Sequence, residues 1–169
     1  MRLVLLFRRP NVFGLLCLAF LIALSVQCLP QSTQTITIRV LDSKTGLPVT
    51  QDDLHFTLWA TKEYPKTSSY APDRLLWGTQ TGAASGEVTI PEGLNYIRAW
   101  VSFGSTNWGM VSCDIPKGKT HLIPIYSVSQ ILQTGVVATN GCSKRTATAK
   151  PGEFILFVRK MTFWEGMQT

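Results

Sequence analysis

The sequence predicts an all-β chain folded as an antiparallel sandwich, and three observations carry that prediction. Apolar and polar residues alternate over several short stretches, the period-two signature of a strand with one buried face. These stretches recur at regular spacing, separated by clusters of Gly, Pro, Asn, Asp and Ser that turn the chain. Helical periodicity is confined to one short segment. Seven or eight short strands with almost no helix read as two stacked sheets.

Each element can be justified in order. Over residues 35–41, Ile36, Ile38 and Val40 point one way and Thr35, Thr37 and Arg39 the other. Asp42, Ser43, Lys44, Thr45 and Gly46 then form a turn, with Gly46 supplying tolerance of positive φ. Residues 54–60 place Phe56, Leu58 and Ala60 inward, and a long polar excursion over 61–74 follows. Residues 75–81 read as a third strand, and 87–90 return with Val88 and Ile90 inward after a glycine-rich turn. Residues 95–103 give the clearest alternation, with Ile97, Ala99, Val101 and Phe103 on one face. Strands over 108–114 and 121–126 follow, the latter put at a sheet edge by Pro124.

The helix is expected near 128–134, capped by Ser127 or Ser129, with Gln130 three residues after Ser127 and Gly135 closing it. After a hydrophilic loop over 139–152, residues 154–158 (Phe, Ile, Leu, Phe, Val) are apolar on both faces. They should therefore be covered on both sides.

The first thirty residues have a different character. Arg2, Arg8 and Arg9 precede an uncharged apolar run over 12–26. As a helix that run covers about 22 Å, short of a ~30 Å hydrocarbon core. Residues 1–28 are expected to be a secretory signal, with an uncleaved N-terminal anchor as the alternative. Lipid modification at Cys28 is disfavoured by Gln27, which stands where a small residue is wanted. The remainder, 35–169, suits one domain with one core. It is expected in the periplasm, on the cell surface or in the medium.

Of sixteen basic residues, the three arginines above leave with that segment, so thirteen face ten acidic ones. That modest excess does not point to nucleic acid, which asks for a concentrated basic face. Membrane contact is not expected beyond the signal or anchor segment. Cys113 and Cys142 form an even pair in an exported chain, which favours a disulfide over a two-thiol metal site.

The stretch over 36–49, with its Asp42, Thr45, Gly46 and Pro48 turn, resembles the carboxypeptidase regulatory-like domain family. The glycine-bounded turn and strand over 82–90 and the Gly93, Asn95, Tyr96 lead extend the likeness. It covers residues 35–103, leaving 104–169 as C-terminal strands, short helix and packed tail. The resemblance implies a β-sandwich of the transthyretin-like or immunoglobulin-like type. Its implied role is a scaffold or interaction module in exported and surface proteins. Ile38 and Arg39 stand where the family often has a glycine. Neither the HxxE zinc pattern of the associated peptidases nor a transthyretin-type hydrolase tail is present.

Catalysis is not expected. His55 and His121 lie outside any nucleophile motif, and Asp52 and Asp53, adjacent on an extended segment, point apart. No cofactor or metal site is read. The aromatic residues are more informative. If Phe56 and Leu58 face inward, Trp59 faces outward with His55 and Thr57. If Ile97, Ala99 and Val101 face inward, Tyr96, Arg98 and Trp100 face outward. Two readings stay open. Either Trp59, Tyr96, Arg98 and Trp100 serve as a platform for a sugar or peptide, or the 154–158 strand and the Phe163 and Trp164 tail cover that face. The second is favoured. The expected function is an exported, non-catalytic structural or protein-interaction module at the cell envelope. The alternative is a carbohydrate- or peptide-binding module using the outward aromatics. Its partner would be an envelope or extracellular protein or a glycan. A basic loop over 143–150 could also attract anionic lipid or polysaccharide.

Overall fold

The computed structural model describes residues 33–49, 54–65, 71–82, 84–103, 110–114 and 124–162, all within the compact unit Ser32–Thr169. The expected signal segment, Asp52, Asp53, His121 and the tail with Phe163 and Trp164 lie outside the described residues.

Ten strands and one helix make up the described fold. In chain order they are β1 (Thr33–Asp42), β2 (Leu54–Thr61), β3 (Arg74–Trp77), β4 (Thr79–Gly82), β5 (Ser85–Pro91) and β6 (Tyr96–Phe103). β7 (Met110–Ser112), β8 (Tyr126–Ser127), α1 (Val128–Thr134), β9 (Val136–Val137) and β10 (Glu153–Lys160) complete them. Two sheets form the sandwich. One has the order β4-β5-β1-β10-β7, with β9 also on β10; the other runs β3-β2-β6-β8.

The alternation seen in the sequence is the burial pattern of the strands. Ile36, Ile38 and Val40 of β1, Phe56, Leu58 and Ala60 of β2, Val88 and Ile90 of β5, and Ile97 and Ala99 of β6 are buried between the sheets. Phe154, Leu156 and Val158 of β10 join the same core. At roughly 1.5–3 kcal/mol for each fully buried aliphatic side chain, this layer dominates folding.

Residues 75–81 are not one strand. Gly78 ends β3 in the four-stranded sheet, and β4 starts immediately in the other. The crossing presses backbone against the core: Gly78 donates its N–H to Phe56 O at 2.9 Å. A Cβ on Gly78 would lie 2.8 Å from both Phe56 Cβ and Val88 Cγ2. A side chain has no room there, which is why the strand changes sheets at a glycine.

The apolar run near the C-terminus is β10, buried on both faces as expected. Its placement is particular. It pairs parallel with β1, with Ile38 opposite Phe154 and Val40 opposite Leu156, so that sheet is mixed. Its outer side carries Ile155 and Phe157, which pack with Leu41 and Cys113 and, from β9 and the loop that precedes β10, Val137, Cys142, Ala147 and Ala149. Cys113 and Cys142 are bonded, with Cα atoms 5.4 Å apart. Together with Ala138 N–H donating to Ile155 O at 2.8 Å, the disulfide straps that loop over β10.

α1 has the predicted bounds. Ser127 is its N-cap, its hydroxyl accepting from Gln130 N at 3.4 Å. Gly135, at φ 74°, ends it and returns its N–H to Ile131 O.

Candidate functional site

The four-stranded sheet has one face in the core, so its other face is set by register alone. β2 lies between β3 and β6, antiparallel to both. Thr57 stands opposite Trp77 on β3 and opposite Trp100 on β6, making one cross-strand row Trp77, Thr57, Trp100. The next row on this face is Leu75, Trp59, Arg98, and the one beyond pairs Thr61 with Tyr96.

The rows carry large exposed rings. Trp77 is 72% exposed and Trp100 52%, values that a soluble face seldom grants to indole. Leu75 is also exposed, and Trp59 and Tyr96 are half-buried. Tyr64, which follows β2, packs edge-on against Tyr96 with centroids 5.4 Å apart and planes at 87°. Arg98 is on the predicted face but only 8% exposed, and its side chain is engaged within the structure.

The expectation that β10 covers this face is overturned. β10 is an inner strand of the opposite sheet, and its second face is taken by the disulfide loop. The other half of that expectation, cover by the tail with Phe163 and Trp164, falls on residues outside those described.

Trp59, Tyr96, Arg98 and Trp100 therefore share one sheet face, as alternation implied. Trp77, Leu75 and Tyr64 were missed. The signal for the first two was present: with Leu76 inward, Leu75 and Trp77 must point outward. What the sequence lacked was the register that sets Trp77 level with Trp100.

The chemistry available is stacking and hydrogen bonding. Trp77 and Trp100 are separated by two strand spacings, about 10 Å, with a threonine hydroxyl between them. His55 is exposed at the end of β2 on the same face. Among the described residues no group of three or more His, Cys, Asp or Glu side chains could hold a metal ion.

Two carboxylates elsewhere serve local structure. Asp42 Oδ1 accepts from Thr45 N at 2.8 Å, Lys44 N at 3.0 Å and Thr45 Oγ1 at 2.9 Å, closing the first turn. The Thr45 N–H in particular holds the Asp42 carboxyl below the usual carboxylate range. Tyr126 donates to Asp114 Oδ2 at 2.9 Å, while burial first, and then the Asp114 charge, push its phenol up.

Comparison of the chain with known protein families, with characterised proteins and with solved structures finds no match.

Proposed function

We propose that this protein is an exported, non-catalytic recognition module that takes a polysaccharide chain on the outer face of its four-stranded sheet. The reading joins the expected export signal and the carboxypeptidase regulatory-like resemblance to one structural observation, the Trp77, Thr57, Trp100 row with its two exposed indoles.

The physical argument is one of shape and spacing. A pyranose ring presents C–H groups on its flat face, and these meet the negative face of an indole favourably. Two indoles borne on strands about 10 Å apart match alternate units of an extended sugar chain crossing the strands. Thr57, placed between them, offers a hydroxyl to the intervening unit. A deep pocket would select one small molecule; an open row selects a polymer.

The test is binding of the full chain to a panel of insoluble and soluble polysaccharides, read by co-sedimentation and affinity electrophoresis. Each of Trp77→Ala and Trp100→Ala should weaken binding about tenfold, on the order of 1–1.5 kcal/mol per ring, and the double variant should abolish it. Wild-type protein that retains both exposed indoles yet binds no polysaccharide overturns the reading in favour of a protein partner on this face.

A further inference from the structure

Two turns far apart in sequence are fastened together at the edge of the six-stranded sheet's end. One is the Asp42 to Gly46 turn that follows β1. The other is the loop that carries Cys142. Asn140 Nδ2 donates to Ser43 O at 3.0 Å, and Ser143 Oγ donates to the same oxygen. Arg145 Nε donates to Lys44 O at 3.2 Å, across 101 residues of chain.

The loop is also fixed from within. Asn140 Oδ1 accepts from Cys142 N at 3.3 Å and Ser143 N at 3.2 Å, and Asn140 Nδ2 donates to Arg145 O at 3.1 Å. The disulfide to Cys113 and the Gly141 N–H to Cys113 O, at 2.8 Å, anchor its base. This scaffold holds Lys44, Lys144 and Arg145 around a shallow depression of about 410 Å³, lined with Ser143 and with no acidic residue.

Three cations lining one depression give it a positive potential that favours an anion. None has a salt-bridge partner among the described residues. The Asp42 carboxylate, which attracts Lys44, has Oδ1 occupied by the N–H groups of its own turn. Arg145 uses Nε within the protein, which orients its guanidinium and leaves the two terminal amino groups for a bidentate contact.

We propose that Lys44, Lys144 and Arg145 form a preorganised receptor for a phosphate-type oxyanion, independent of the aromatic face. A tetrahedral dianion seated in the depression accepts a fork from Arg145 and one ammonium from each lysine. The same chemistry is offered by soluble phosphate esters and by an anionic lipid headgroup.

The experiment titrates the oxidised full chain, labelled with nitrogen-15, with inorganic phosphate at ionic strength matched by chloride. Amide resonances of Lys44, Lys144 and Arg145 should shift saturably with phosphate and not with chloride. Each of Lys44→Gln, Lys144→Gln and Arg145→Gln should weaken binding about fivefold, the scale of one exposed ion pair. Asn140→Ala keeps all three charges but removes the bonds from Asn140 to Ser43 O and Arg145 O and those it accepts from Cys142 N and Ser143 N, and should weaken binding as much as losing a lysine.

Co-sedimentation with phosphatidylglycerol and with phosphatidylcholine vesicles separates the sources. Retention on the anionic vesicles by wild type and not by the triple variant assigns the receptor to a lipid headgroup. Phosphate binding without such retention assigns it to soluble esters; both results support the receptor. Phosphate shifts no larger than those of chloride overturn it. So does a triple variant, or a folded Asn140→Ala, that titrates like wild type.

Discussion

Arg39 of β1 donates from Nη1 to Glu153 Oε1 at the start of β10, at 2.8 Å, where the two strands begin their parallel pairing. Glu153 Oε2 also accepts from Lys150 N at 2.9 Å. One carboxylate thus ties the strand's entrance to both the neighbouring strand and the loop before it. Burial alone would raise the Glu153 carboxyl. The hydrogen bonds from Arg39 and Lys150 N and the neighbouring positive charges outweigh it, and the net shift is downward.

That shift sets a pH dependence. The folded protein holds Glu153 more acidic than the unfolded chain does, so its contribution is present above the unfolded carboxylate range. It is lost as pH falls through the lower folded value. Glu153→Gln should cost about 1 kcal/mol at pH 7, discounted for the exposed Arg39 side chain. The cost should vanish in urea melts taken near pH 3; an unchanged difference at low pH would refute the assignment.

The disulfide is expected to stabilise the fold substantially. Its sequence separation of 29 residues corresponds to roughly 3–4 kcal/mol on the chain-entropy model. Replacing both Cys113 and Cys142 by Ser should lower the denaturant midpoint accordingly. It should also raise hydrogen exchange at Ala138 and at position 113, whose N–H groups bond to Ile155 O and Phe157 O on β10.

Gly78 is expected to tolerate no side chain. Alanine there overlaps Phe56 and Val88, two buried core residues, and the overpacking should cost about 2 kcal/mol or more. Thermal melts of Gly78→Ala beside an exposed-site control such as Thr89→Ala would measure it.

Variants retaining a single tryptophan should report the aromatic face directly. Acrylamide should quench Trp77 and Trp100 strongly and Trp59 less, in the order of their exposure. Strong protection of Trp100 would mean that the face is covered in solution, and the platform reading would fall with it.

Tyr126 should resist alkaline titration. Its folded pKa lies above the unfolded value, so the stability it confers is intact below about pH 10 and is lost as pH rises beyond that. Ultraviolet titration should show one phenol ionising only as the chain unfolds, and Tyr126→Phe should remove that step.

By itself the sequence determined what depends on nearest neighbours along the chain. Period-two spacing decides which side chains of β1, β2, β5 and β6 share a face, and Ser127, Gln130 and Gly135 are local helix signals that act within one turn. It likewise placed Trp59, Tyr96, Arg98 and Trp100 together, since strand geometry alone separates odd from even positions. Tertiary structure decided whatever depends on which strand lies beside which. It set Trp77 level with Trp100 through Thr57, split residues 75–81 at Gly78, and put β10 parallel to β1 under the disulfide loop. It also brought Lys44 to Lys144 and Arg145. Those pairings are settled by how the whole core packs, and period-two spacing carries no information about a partner strand's register.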